Sequence, residues 1–214
     1  MTKRDKGFED GDLIEAIIPS EIANVKLADI SLLNDYRLRD NRKLWLDFEV
    51  DMDVLDLERQ ILLWNMQDVE INAVDREPIW LYLFNYGGDS NLEQSLIDVI
   101  DASITPVHTI NMGVCASAAA EIFVAGRCRY MMKNARVMFH QGFGAISGDA
   151  QKMRDNIEDY SRQLEKAKEF LLARTKIPPE EYESHKYNDW WLSAEECLQY
   201  GVCDQIIQSL DEVI

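Results

Sequence analysis

At 214 residues the chain suits one domain with a sizeable core, since two compact domains would each be small. Hydrophobic residues at 47% and charged residues at 29% are the proportions of a soluble globular fold. A formal net charge of −17 excludes nucleic acid and anionic membrane as natural partners, because affinity for both rests on Lys and Arg displacing counterions.

The first forty residues carry no clear periodic signal. Their opening, MTKRDKGFEDGDLIEAIIPS, turns acidic before any long apolar stretch and does not read as a signal peptide. No run approaches the roughly 20 apolar residues that span a bilayer; even ASAAAEIFVAG carries Glu121. The four cysteines, Cys115, Cys128, Cys197 and Cys203, form no C-x-x-C pair, and the histidines lie far from them in sequence. Reduced thiols in a cytoplasmic protein are expected, with no metal and no cofactor.

A short strand is predicted over Leu44–Val50, followed by an apolar-rich helix over Val54–Met66. IWLYLFN from Ile79 is a buried-strand candidate that ends in Gly87-Gly88. Ser90 with Glu93 forms a capping-box pattern opening a helix with Leu92, Leu96, Ile97, Val99 and Ile100. VHTIN, after Pro106, reads as a second strand, and a small-residue helix runs through CASAAAEIF. This strand–helix–strand–helix order implies a parallel sheet with right-handed crossovers. Two shorter strands follow near Cys128–Met132 and Arg136–Gln141, then the glycine-punctuated GFGAISG. A long helix is predicted from Ala150 to Thr175, stopped by Pro178-Pro179. Its apolar positions, Met153, Ile157, Tyr160, Leu164, Ala167 and Leu171, alternate steps of four and three. That period suits packing against another helix, although an amphipathic helix lying on its own domain fits it too. Ser193 and Glu196 form a second capping box before a short helix and the strand CDQII.

Ser117 is placed a few residues after a strand, in the first turn of an alanine-built helix. The helix amino end favours developing negative charge, the small neighbours leave room for a substrate carbonyl, and the N–H of Ala118 offers an oxyanion donor. The plainer reading is that CASAAA is small so that the helix can press against the sheet. Gly87-Gly88 sits at another strand-to-helix junction, where its N–H groups supply a second oxyanion donor or merely form a tight turn. Of the three histidines, His108 lies inside a strand and reads as a satisfied core residue, and His185 lies in the polar stretch EYESHKYN and reads as a surface residue. His140 stands at a strand end before glycine-rich backbone, where site residues gather in such sheets. Asp189, between Asn188 and Trp190-Trp191, reads as a partner carboxylate or as a cap or solvated charge.

Taken in order, YLFN-YGG, MGVCASAAAEIFVAG, ARVMFHQ and D-W-W-L-S-A-E-E-x-x-x-Y-G-x-x-D resemble the proteolytic subunit of the Clp protease, over Asn34 to Ile207. The resemblance implies a crotonase-like α/β fold with repeated ββα units and a protruding long handle helix. It implies a divergent N-terminal segment over residues 1–33 and a single peptidase domain over 34–214. It places the nucleophile on Ser117, the general base on His140, its partner on Asp189, and the oxyanion donors on the N–H groups of Gly88 and Ala118. It further implies two stacked heptameric rings, unfolded polypeptide substrates, and an AAA+ ATP-driven unfoldase docking near Trp80, Tyr82, Tyr130 and Ile207. Ala102 stands where a docking aromatic is usual. Four further departures are Tyr86 and Gly142 for prolines, Ala119 for a glycine, and Asn188 for an arginine that couples the rings. A catalytically silent ring subunit, a phage-type capsid-processing protease and a crotonase-like acyl-CoA enzyme are the alternatives on this fold.

Overall fold

The computed structural model describes residues 30–142 and 147–213. The chain divides into two compact units, residues 1–40 and 41–214. Of the first, the described part is helix α1 (Ile30–Asp40), whose last turn carries Arg37 and Arg39 where basic charge complements the carbonyl end of a helix. The predicted N-terminal segment otherwise lies outside the described residues, as do residues 143–146 of GFGAISG.

The second unit contains strands β1 (Lys43–Leu46), β2 (Ile79–Asn85), β3 (Val107–Ala116), β4 (Arg129–Met132), β5 (Arg136–Phe139), β6 (Trp190–Ser193) and β7 (Gln205–Ile207). Its helices are α2 (Val54–Asp68), α3 (Ser90–Ala102), α4 (Ala118–Ala125), α5 (Ala150–Arg174), α6 (Pro179–His185) and α7 (Ala194–Gln199), with a final 3₁₀ turn at Leu210–Glu212. The seven strands form one sheet in the order β1-β2-β3-β4-β7, all parallel, with β5 branching from β3 and β6 pairing antiparallel to β5. This is the expected α/β fold of mainly parallel strands, with the expected long helix, α5.

The centre of the sheet is apolar along its length, as strands covered on both faces must be: Ile79, Leu81, Leu83, Val107 and Ile110 are buried. Helix α4 presses against it. Every residue of α4 except Glu121 is buried, so the alanines do serve close packing. Strand β3 forks between two partners. Thr109–Asn111 pair with β4, and then Val114–Ala116 pair with β5. The strand is therefore twice the length of VHTIN and runs directly into Ser117.

Three expectations need correction. The first strand ends at Leu46, because Asn85 Nδ2 donates to Phe48 O in place of a ladder bond; only Val50 resumes pairing, as a bridge to Gly88. Helix α3 is capped by Asp89 rather than Ser90. The N–H of Asp89 is tied to Val50 O at 2.7 Å and its backbone is extended, so its carboxylate accepts from Asn91 N–H (2.8 Å) and Leu92 N–H (3.2 Å), while Glu93 turns inward. The strand at the chain end begins at Gln205 rather than Cys203. The capping box of Ser193 and Glu196 forms as read.

Helix α5 starts at its Asp149 cap, whose carboxylate accepts from Gln151 and Lys152 N–H at 3.0 Å each. Its residues through Asp159 are all exposed, including Met153 and Ile157. Tyr160 donates to Gln141 O at 2.7 Å, and Leu171 is buried in the main core. Only the carboxyl half of the apolar seam thus packs on the helix's own domain.

Candidate active site

Ser117 occupies the turn between β3 and α4 with φ 56 and ψ −132, a conformation that non-glycine residues adopt at a cost of about 1–3 kcal/mol. Two backbone bonds hold it there: its N–H donates to Met138 O at 2.9 Å, and its carbonyl accepts from Ala120 N–H at 2.8 Å. The first ties the serine to β5, two residues before His140. The result is a separation of 2.7 Å between Ser117 Oγ and His140 Nε2. With the ring proton on Nδ1, the hydroxyl donates to Nε2, which is the arrangement needed to deprotonate it.

Asp189 precedes β6, whose Trp190 pairs with Phe139 at the end of β5. The antiparallel pairing brings its Oδ1 to 3.6 Å from His140 Nδ1. That is an ion-pair distance, longer than a hydrogen bond. The histidine side chain is 19% exposed and the aspartate 66%, so solvent screens the carboxylate. The three predicted side chains therefore come together, with the serine–histidine link tight and the histidine–aspartate link slack.

The glycine pair lies against the same turn. A side-chain carbon on Gly87 (φ +108) would stand 2.7 Å from Ser117 Cβ and 3.2 Å from Ala118 N. One on Gly88 (φ +155) would overlap the Val50 backbone. Glycine is required at both positions by backbone conformation and by close approach. Val50 N–H donates to Gly87 O at 2.9 Å, Asp89 N–H donates to Val50 O, and Gly87 N–H donates to Asn85 Oδ1 at 2.6 Å. None of these bonds uses the N–H of Gly88 or of Ala118, the two donors that the sequence assigns to an oxyanion.

A cleft open to solvent extends from Ser117 and His140 toward α5 and α6. Phe139, Ala167, Leu171 and Trp190 form apolar wall, and Glu121, His185 and Lys186 also line it. The His185 side chain is 38% exposed, as its polar surroundings suggest, but it lines the cleft rather than standing free. It stacks on Trp190 with centroids 4.6 Å apart and places Nε2 3.3 Å from Glu181 Oε1. His108 is not a satisfied core residue: its buried Nδ1 has no partner, it packs edge-on against Trp80 and Tyr130, and burial lowers its pKa. Sequence reasoning missed Glu121 as a site residue. Its one visible signal was that it is the only charge in an otherwise apolar helix.

Glu121 faces Glu93 of α3. Burial first, and the neighbouring Glu121 second, push the Glu93 carboxyl up to about 10, and burial raises Glu121 as well. The pair therefore holds a proton at neutral pH.

The predicted docking residues also gather. Tyr82 and Ile207 are buried in a small apolar cluster with Ile110 and Val213, and half-buried Trp80 and Tyr130 pack on it. Trp45 stacks on Tyr82 at 5.2 Å, and the Tyr82 hydroxyl donates to Val213 O at 2.6 Å. Among the described residues, no group of three or more His, Cys, Asp or Glu side chains is placed to hold a metal ion, and no helix is long and apolar enough to cross a membrane.

Comparison with known proteins bears on the same segments. The sequence profile of the Clp protease family matches residues 34–210. The chain is 30% identical over 176 residues to ATP-dependent Clp protease proteolytic subunit 2 of Treponema pallidum, covering 79% of this chain and 83% of the relative. It is 30% identical over 183 residues to proteolytic subunit 3 of Streptomyces coelicolor, covering 83% and 80%. It is 33% identical over 147 residues to proteolytic subunit 2 of Pseudomonas aeruginosa, covering 66% and 71%. The matched span includes the β3–α4 turn, the end of β5 and the start of β6, and on it the chain belongs to the Clp protease family.

Proposed function

We propose that the chain is a serine endopeptidase that hydrolyses unfolded polypeptides through an acyl-enzyme on Ser117. The observation that carries this reading is the 2.7 Å contact between Ser117 Oγ and His140 Nε2 at the amino end of α4. In the proposed mechanism His140 takes the hydroxyl proton as Ser117 attacks the scissile carbonyl carbon. Asp189 favours the imidazolium that forms, and the N–H groups of Gly88 and Ala118 receive the oxyanion. Collapse breaks the C–N bond, with the proton passing from His140 to the leaving amine. Water then attacks the ester with His140 as base, which frees the acid and restores Ser117.

The subunit would act in the cytoplasm within two stacked heptameric rings, fed by an AAA+ unfoldase that docks at the Trp80–Tyr130 cluster. The uncovered Met153 and Ile157 of α5 support an interlocking handle, since exposed apolar residues on a protruding helix call for a partner surface. The single peptidase domain would span residues 34–214. Fluorophosphonate labelling tests the chemistry: the wild type labels on Ser117, and Ser117→Ala and His140→Ala do not. A well-folded wild type that fails to label removes the peptidase reading in favour of a silent subunit or an acyl-CoA enzyme. A native mass equal to one chain removes the ring.

A further inference from the structure

Asp189 is held by little of its own. Among the described residues its carboxylate meets only His140, at 3.6 Å, and Tyr187, Asn188 and Asp189 are all exposed. What fixes this segment lies at its two ends. His185, the last residue of α6, accepts from Asn188 N–H through its carbonyl at 2.9 Å and lays its ring on Trp190 with an interplanar angle of 5°. One residue thus grips the chain on both sides of Asp189.

The grip is itself braced. Glu181 Oε1 accepts from the Tyr200 hydroxyl and lies at the same 3.3 Å from His185 Nε2, which donates when it carries the ring proton. Tyr200 packs edge-on to Trp190 with centroids 5.7 Å apart, so His185, Trp190, Tyr200 and Glu181 close a circle of contacts. Tyr200 is anchored through its backbone: its carbonyl accepts from Lys176 N–H at 2.6 Å and its N–H donates to Glu196 O at 2.8 Å. Stacked and edge-on arrangements are the favoured ones for such rings, and the buried indole therefore has one well-defined place. Trp190 in turn meets Phe139, the residue before His140, by strand pairing and ring to ring at 6.3 Å. The indole is the piece that the strands of the histidine and the aspartate share.

We propose that His185 is a positioning residue for the hydrolysis: its ring, braced by Glu181 and Tyr200, holds Trp190 and so keeps the Asp189 carboxylate beside His140. This rests on the peptidase reading. A carboxylate on an exposed loop gains little from a solvent-screened ion pair, so its placement must come from the backbone that carries it. Without the stack, residues 186–189 would be restrained by strand pairing on one side alone.

The test is the rate at which a fluorescent fluorophosphonate labels Ser117 in the full chain, taken through a double-mutant cycle. Asp189→Asn and His185→Ala should each slow labelling, the latter about tenfold, mid-range for residues coupled in one network. His185→Phe, which keeps a flat ring over the indole, should recover most of that loss. In Asp189→Asn, adding His185→Ala should change the rate by less than about twofold, because the carboxylate to be positioned is gone. A role confined to stability would cost the same factor in both backgrounds, and that result overturns the assignment. So does labelling of His185→Ala or of Asp189→Asn at the wild-type rate, and so does a His185→Phe that labels no faster than His185→Ala. A wild type that fails to label refutes the peptidase reading instead.

Discussion

Replacing Gly87 with alanine tests how the nucleophile is positioned without touching any side chain proposed to act. The new methyl carbon would lie 2.7 Å from Ser117 Cβ and 2.9 Å from Ala116 O, inside van der Waals contact on two sides. The φ of +108 also disfavours any L side chain there. Backbone strain of about 1–3 kcal/mol adds to a similar overpacking cost, giving a loss of about 2–5 kcal/mol in stability. The serine turn must give way, and a shift of about 1 Å out of line with His140 lowers reactivity about a hundredfold. Gly113→Ala is the matched control. Its methyl group would meet only the Phe84 ring, at 2.7 Å, and that ring is exposed and free to swing. Urea unfolding and the fluorophosphonate labelling rate are measured on both variants. Wild-type labelling by Gly87→Ala, or equal losses in the two variants, would refute the claim that the glycine abuts and orients Ser117.

Glu93→Gln should stabilise the protein increasingly as pH rises. The unfolded carboxyl ionises near its ordinary 4.5 whereas the folded one keeps its proton to about 10, so within that window each pH unit favours unfolding by up to about 1.4 kcal/mol. The gap in Tm between variant and wild type should widen from pH 5.5 to 8.5, and parallel curves would show that the Glu93–Glu121 pair holds no proton. Asp68 is fully buried against Arg42 (2.6 Å) and Thr105 (2.5 Å), and Asp68→Ala should cost about 3–5 kcal/mol in urea unfolding by stranding the guanidinium. The Arg42 bond holds the Asp68 carboxyl below its ordinary 3.8, so this contribution is present above that pH and is lost as pH falls through the lower folded value. Asp189→Asn should lower kcat about a hundredfold with little change in KM, since the carboxylate stabilises only the imidazolium; an unchanged kcat would remove Asp189 from the mechanism.

Much of the fold was legible because its signals are local. The apolar run from Ile79 to Asn85, the alanine helix after Ser117, and the Ser193–Glu196 cap each need only neighbouring residues to be understood. Ser117, His140 and Asp189 were singled out from three separated motifs in one order, and β3, β5 and β6 bring those side chains near one another. What escaped depends on distant contacts. The first strand stops early because Asn85, far along the chain, captures Phe48 O. The cap of α3 shifts because Val50 holds Asp89. Glu121 acquires meaning only when Glu93 on another helix is brought against it, and His185 enters the cleft only because Trp190 offers a ring to stack on.

The forking of β3 has a mechanical consequence. Hydroxyl and imidazole hang from the ends of neighbouring parallel strands, joined by the amide of Ser117 and the carbonyl of Met138, so bending or twisting of the sheet carries both along as one body. The aspartate arrives on a strand running the opposite way and keeps a freedom that the other two lack. A clamp on the segment before Trp190, whether a neighbouring subunit or an engineered tether, would therefore act as a throttle on the proposed turnover while leaving Ser117 and His140 undisturbed.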